Sequence, residues 1–149
     1  PSQTGSGLAL TATFTGDTEG SDNWEEICAV DPEGTQDPAT NYPAFNFALT
    51  YGTQAGLTET DYENGWYVPS VAELCDVYTN KEVVQTSLNA AGGFTLGTSY
   101  YWSSSLLSSY SSDRAYRVDF YDGNLNYYYN KDERNHVFVL QAFNAEQFN

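Results

Sequence analysis

The segment Ala115-Tyr116-Arg117-Val118-Asp119-Phe120-Tyr121, closed by Asp122-Gly123, most limits the folds open to this chain. Apolar and polar side chains alternate there with a period of two. Tyr116, Val118 and Phe120 therefore belong on one side of a strand, and Arg117, Asp119 and Tyr121 on the other. Asp-Gly supplies the backbone angles of a tight hairpin, so a second strand returns over Asn124–Tyr129. With Tyr100–Ser104 and His136–Phe143 also reading as short strands, this half of the chain predicts a mostly antiparallel sheet.

The first half reads differently. Leu8 to Phe14 has the pattern of a strand, and Asn23 to Val30 that of a short helix or a strand. Asp31 to Thr40, with two Asp-Pro pairs and Glu33-Gly34, is a loop. Asn41-Tyr42-Pro43 opens a helix over Pro43–Tyr51, with Asn as cap, Pro in the first turn and Gly52 as stop. After a short strand at Tyr67-Val68, Ser70-Val71-Ala72-Glu73 has capping-box spacing. Val71, Leu74, Cys75 and Tyr78 then share one helical face. A further helix runs from about Lys81 to Ala91, capped by Asn80 and stopped by Gly92-Gly93. The class is α+β: few short helices around a mostly antiparallel sheet, in one domain spanning 1–149.

Composition narrows the partners. The 149 residues carry a net charge of −15, which repels nucleic acid and anionic membrane surfaces. The carboxylates concentrate early, at Asp17, Glu19, Asp22, Glu25, Glu26, Asp31, Glu33, Asp37, Glu59, Asp61 and Glu63. They read as a solvated face, with a loop calcium site as the sharper alternative, although no EF-hand spacing occurs. Cys28 and Cys75 form no Cys-x-x-Cys pair, and His136 is the single histidine, so no zinc site is indicated. The two thiols read as buried and reduced, with one disulfide as the alternative, and Cys75 as a core thiol rather than a nucleophile. No apolar run has the length of a membrane span. The chain begins at Pro1, the start expected of a processed or truncated fragment.

Tyr100 to His136 is crowded with Tyr, Ser, Asn and Asp: Tyr100-Tyr101-Trp102-Ser103-Ser104-Ser105, Ser108-Ser109-Tyr110-Ser111-Ser112-Asp113, and Tyr127-Tyr128-Tyr129-Asn130. Tyr gives stiff amphipathic contact area and Ser and Asn give adaptable hydrogen bonds, the set used in recognition loops. Consecutive strand residues alternate faces, so at least one of Tyr127, Tyr128 and Tyr129 faces outward. Trp66 and Trp102 read as core. Catalytic patterns are missing: no Gly-x-Ser-x-Gly, no Gly-rich phosphate loop, no His-Glu-x-x-His. His136 reads as an edge residue, and Asp119 with Asp122 as turn residues rather than a glycosidase pair.

Several stretches resemble one family. Gly65-Trp66-Tyr67-Val68-Pro69-Ser70-Val71-Ala72-Glu73-Leu74 is similar to the G-W-x-L-P-(T/S)-x-x-E-L motif of bacterial proteins with a C-type lectin fold of the formylglycine-generating-enzyme subtype. Tyr101-Trp102-Ser103-Ser104-Ser105 resembles that family's Y-W-S-S-(S/T). Ala115 to Phe120 with Gly123 resembles its A-(W/Y)-x-V-x-F…G. The ending His136 to Phe143 departs from V-R-x-V-R-A-F, with Phe138 and Gln141 in place of arginines. Asp31 to Thr35 and Asn41 to Phe45 also look like Treponema members. The motifs span Gly65 to Phe143, about half of the chain.

Within that group the chain most resembles the variable proteins of diversity-generating retroelements, in which an error-prone reverse transcriptase alters adenine-rich codons near the 3′ end of the gene. Changes in the first two bases of an AAY codon cannot yield Lys, Glu, Gln, Met or Trp. None of these five occurs from Ser103 to Asn130. The resemblance implies a non-catalytic binding module with a variable region at about 103–138. Its ligand face would comprise Leu106, Ser108, Ser109, Tyr110, Ser112, Asp113, Tyr116, Arg117, Asp119, Tyr121, Asp122, Leu125, Tyr127, Tyr128, Tyr129, Asn130 and Phe138. The expected ligand is a protein or a glycan, with no cofactor and no nucleic acid. The expected place is the cell surface, as an outer-membrane lipoprotein whose N-terminal lipid anchor lies outside this fragment. The alternative is an invariant carbohydrate-binding, lectin-like domain, with or without calcium, although neither Glu-Pro-Asn nor Gln-Pro-Asp occurs. The enzyme that names the fold needs a cysteine pair near its C-terminal site, and no Cys follows Cys75.

Overall fold

The computed structural model describes residues 2–93, 95–107, 114–126, 131 and 133–142. Its elements are β1 (Ser2–Thr4), β2 (Thr15–Gly16), α1 (Asn23–Val30), a 3₁₀ turn (Gly34–Gln36), α2 (Pro38–Asn41), α3 (Pro43–Gln54), β3 (Trp66–Tyr67), α4 (Val71–Thr79), α5 (Lys81–Ala90), β4 (Tyr100–Leu107), β5 (Ala115–Asp119), β6 (Leu125–Asn126), β7 (His136–Val137) and β8 (Leu140–Gln141). The class is α+β, as expected. No helix among the described residues is long and apolar enough to cross a membrane.

The main sheet runs β2-β1-β4-β5-β6, with β7 also beside β4. One edge of β4 pairs antiparallel with β5. Its other edge is shared: Tyr101 and Trp102 pair with β7, and Leu106 and Leu107 with β1, both in parallel. The sheet is thus more mixed than local patterning predicts, because parallel neighbours come from distant segments that leave no hairpin signal. A separate ribbon pairs β3 with β8, Trp66 opposite Gln141.

The expected β5–β6 hairpin is present, with Arg117 opposite Asn126 and Val118 opposite Leu125. Gly123 takes a φ of 80°, and a Cβ there would come within 2.6 Å of the Tyr78 ring, so no other residue fits. Tyr116, Val118 and Phe120 enter the core, as the alternation requires. They meet Val71, Leu74, Cys75 and Tyr78, the predicted face of α4. The Phe120 ring lies 5.4 Å from that of Tyr78 and 4.5 Å from that of Tyr101.

Other expectations need correction. Leu8 to Phe14 is not a strand: the amides of Thr11 and Ala12 both donate to the Leu8 carbonyl and curl the chain, and only Leu8 bridges to Asn124. Asn41 does not cap α3 but ends α2, and Gly52 does not stop α3. The glycine sits inside the helix because the backbone of Glu63 crosses it, where a Cβ would fall 1.8 Å from the Glu63 carbonyl oxygen. Asn80 precedes α5 without a side-chain cap. Of the strand expected over Asn124–Tyr129, Leu125 and Asn126 are strand; Tyr127–Tyr129 lie outside the described residues. Of the strand expected over His136–Phe143, His136–Val137 and Leu140–Gln141 are short strands belonging to different sheets, and Phe143 lies outside the described residues.

The serines of β4 form the most consequential feature. Between Trp102, opposite Arg117, and Leu106, opposite Ala115, β4 spends two residues more than β5. This bulge turns Ser103, Ser104 and Ser105 away from regular pairing and buries all three. The Ser103 hydroxyl donates to the Tyr116 carbonyl at 2.9 Å. The Ser104 amide donates to the Pro69 carbonyl at 2.8 Å, and its hydroxyl accepts from Asn23 Nδ2 at 2.6 Å. The Ser105 hydroxyl accepts from the Val71 amide at 2.9 Å. A helix's first amides have no partner within the helix, and Ser105 supplies one from the sheet.

Ser70 and Glu73 complete that helix end with the predicted capping box. Glu73 also gathers distant chain: its carboxylate accepts from the amides of Gly20 and Ser70 and from the Tyr67 hydroxyl. Burial raises the carboxyl above the ordinary glutamate range, against the lowering effect of these donors.

Two outcomes follow. Ser105→Ala strands the buried Val71 amide and should cost about 1–3 kcal/mol in urea unfolding at unchanged m-value. A raised folded-state pKa means that the Glu73 contribution is full below the unfolded value, about 4.3, and is lost as pH rises through the higher folded value. Glu73→Gln stays neutral, so melts at matched pH should show the variant gaining on the wild type as pH rises above about 4.3. Parallel curves would refute the assignment.

Candidate ligand-binding face

Cross-strand pairs define two faces of the sheet. Tyr101, Val118 and Leu125 are paired across the strands on the core side. Tyr100 opposite Asp119, and Trp102 opposite Arg117, stand on the other side. That outer face continues into the hairpin turn, where Tyr121 is 75 % exposed and Asp122 is exposed.

The hairpin is stiffened by its own acids. Asp119 Oδ1 accepts from the Tyr121 amide at 2.8 Å, and Asp122 accepts from both the amide and the side chain of Asn124. These local bonds fix the turn backbone and leave the Tyr121 ring clear of the core. A large ring presented on an ordered turn costs little entropy when it is covered by a ligand.

Arg117 has a different role from the one expected. It is only 4 % exposed. Its guanidinium lies 3.9 Å from the centre of the Tyr100 ring and donates from Nη1 to Glu133 Oε2 at 3.0 Å and to Asn135 Oδ1 at 3.1 Å. Beside it, the Trp102 indole donates to the Glu133 carbonyl at 3.1 Å. Arg117 and Trp102 thus clasp residues 133–135 over the outer face. Trp102 is buried, as expected, but beneath this clasp rather than in the central core.

The expected site residues divide accordingly. Asp119, Tyr121 and Asp122 share the outer hairpin, and Leu106 is half-buried near the end of β4. Tyr116, Leu125 and Phe138 are corrections. Tyr116 is fully buried, with its hydroxyl donating to the Gly5 carbonyl at 2.9 Å and accepting from the Gly5 amide. Leu125 is core, and Phe138 packs against the core from its margin. The Tyr/Ser/Asp composition hid this, because the alternation that sends Arg117 outward sends Tyr116 and Leu125 inward. Arg117 is a correction as well, since it is buried and its Nη1 is engaged within the chain. Ser108, Ser109, Tyr110, Ser112, Asp113, Tyr127, Tyr128, Tyr129 and Asn130 lie outside the described residues.

Glu133 and Asn135 are positions that sequence reasoning missed, and Tyr100, which reads as part of the Tyr-rich stretch, is not among the expected site residues. Only pairing opposite Asp119 and beside Arg117 identifies them, and no local pattern carries that information.

Groups capable of chemistry are placed elsewhere. Cys75 is buried on α4 with its thiol pushed up to about 12 by desolvation, so it is held as the neutral form. Cys28 is half-buried, and neither cysteine is in a disulfide. His136 is exposed, with its ring 5.3 Å from that of Tyr101. Among the described residues no three His, Cys, Asp or Glu side chains converge to hold a metal. Trp66, expected in the core, is half-buried: its indole donates to the Tyr62 carbonyl and its ring meets Tyr51 at 4.7 Å. No protein-family profile, curated protein or solved structure matches this chain.

Removing the clasp should loosen the outer face without opening the core. Arg117→Ala should cost about 2 kcal/mol and speed hydrogen exchange of the Trp102 indole by tenfold or more, as the Glu133 carbonyl leaves it. Unchanged indole protection would show that Arg117 does not hold that segment.

Proposed function

We propose that this chain is a non-catalytic ligand-binding module, built on a C-type lectin fold of the formylglycine-generating-enzyme subtype and diversified by a retroelement. The observation that carries this reading is the hairpin at Asp119–Asp122. A turn closed by its own hydrogen bonds, anchored by core residues on one face, holds Tyr121 and two carboxylates on the other. The segment around it, Ser103 to Asn130, contains no Lys, Glu, Gln, Met or Trp. Tyr121 on such a face can change without disturbing what lies beneath it, and Asp119 and Asp122 at the cost of local turn bonds only.

The way the motifs meet supports the same fold. Pro69 and Val71 of the first motif bond Ser104 and Ser105 of the second. Tyr101 of the second pairs with Val118 of the third, and Trp66 pairs with Gln141 of the ending. The ligand expected is a protein surface, since exposed Tyr with carboxylate neighbours suits recognition of polar, partly basic surfaces. Display at the cell surface through a lipid anchor belongs to this proposal.

Two measurements test it. The encoding locus should hold a near-copy of the codons for the late segment, differing from it at template adenines, with codons 119, 121 and 122 among the altered positions; a locus without such a repeat removes the diversification claim. In the protein, Tyr121→Ala should leave stability within about 0.5 kcal/mol, whereas Tyr116→Ala should cost about 3–5 kcal/mol. Equal losses would mean that Tyr121 belongs to the scaffold and not to a replaceable face.

A further inference from the structure

A groove lies apart from the hairpin. Between α1, α3 and β3 runs a groove of about 310 Å³, lined by Trp24, Glu25, Phe45, Leu49, Asn64 and Trp66 among others. No residue of the outer hairpin reaches it. Its walls are mostly apolar. Trp24 and Phe45 stack at 5.5 Å, the Trp66 indole N–H is spent on Tyr62, and Leu49 is 46 % exposed.

Glu25 is the charged residue of the lining, and it is exposed on the first turn of α1. Ser21, also in the lining, has both its amide and its hydroxyl donated to Glu19, which fixes a second carboxylate at the rim. Glu63 adjoins the lining residue Asn64. Among the described residues no ion pair reaches Glu19, Glu25 or Glu63. Residues 1–80 carry thirteen Asp and Glu and no Lys, Arg or His; the chain's five bases are Lys81, Arg114, Arg117, Lys131 and Arg134.

This combination selects its occupant by charge. An acidic group is repelled, and a purely apolar one would cover the Glu25 carboxylate without pairing it, which costs free energy. A basic side chain satisfies both requirements: its aliphatic stem packs on Leu49 and the rings, and its head meets Glu25 and the aromatic faces. We infer that the groove between α1, α3 and β3 docks an Arg- or Lys-bearing segment of a partner polypeptide. This inference stands independently of the hairpin reading.

The test uses a short capped peptide of Leu, Arg and Gly, with an otherwise identical peptide carrying Glu for Arg and another carrying Gln. Indole N–H shifts of Trp24 and Trp66 report occupancy by NMR. The basic peptide should move both indoles saturably, and its affinity should fall between about 50 and about 500 mM NaCl. Glu25→Gln should weaken it about fivefold. Leu49→Lys, a change at an exposed position that keeps the fold, should abolish binding by placing the protein's own ammonium in the groove. Tyr121→Ala should bind as the wild type does. Shifts spread over the acidic surface with both indoles still, equal binding of the Gln peptide, or undiminished binding to Leu49→Lys would each overturn the proposal.

Discussion

The buried serine bulge of β4 is the constraint on which the rest of the structure depends. A regular strand would spend the amides and carbonyls of Ser103–Ser105 on β5. Two surplus residues free this stretch from the ladder: the Ser104 amide donates to the Pro69 carbonyl in the loop before α4, while the Ser104 and Ser105 hydroxyls accept from Asn23 of α1 and from the Val71 amide in the first turn of α4. Serine suits the position physically. It is small enough for a fully packed site, and its hydroxyl both donates and accepts. Apolar residues there would leave an amide of the helix without a partner in a place that water does not reach. The helix thus lies on the sheet by hydrogen bonds as well as by the packing of Leu74 and Val71. Such bonds are directional, so they set the seating of the helix more tightly than apolar contact does.

Parts of this were legible in the sequence because the signal was local. The capping box at Ser70–Glu73, the inward face of α4 and the alternation of β5 depend on residues a few positions apart, and each stands where local physics puts it. The serines failed for an instructive reason. Composition treats Ser beside Tyr as surface material, whereas Ser103–Ser105 serve partners from 13 to 81 positions away. Gly52 failed similarly: a glycine near a helix end resembles a stop, but its cause is the Glu63 backbone crossing the helix. Leu8 to Phe14 carries strand-forming residues but is offered only a single bridge at the β6 edge, so local turning wins. For the candidate site, the turn carrying Tyr121 was readable, but the clasp of Arg117 on Glu133 and Asn135 was not, because it joins segments with no common pattern.

The two sides of β5 divide labour in a way that bears on a variable face. Val118 and Phe120 meet α4 and the Tyr101 ring, and replacing either opens or overfills a close-packed interior. Asp119 and Tyr121 are their immediate neighbours in sequence, yet they meet local backbone and solvent. The boundary between scaffold and tolerance therefore does not run between segments of the chain. It runs through the middle of a strand, residue by residue.

Under the proposed function, this geometry limits how diversity can be distributed. Any process that altered the late segment uniformly would strike Tyr116, whose hydroxyl serves both backbone groups of Gly5, and Leu125, which lies in the core. It would also strike Arg117, whose loss releases residues 133–135 from the outer face. Tolerated change must instead skip the inward positions of β5 and is adjacent only at Tyr121 and Asp122, ahead of the fixed Gly123 and the core residue Leu125. Arg117 marks the intermediate case. It stands on the outer side by register, yet it is held by a ring, a carboxylate and an amide at once. A substitution there alters the shape of the face by moving the segment laid over it, rather than by offering a different contact, so its effect on recognition is indirect and is inseparable from its effect on stability.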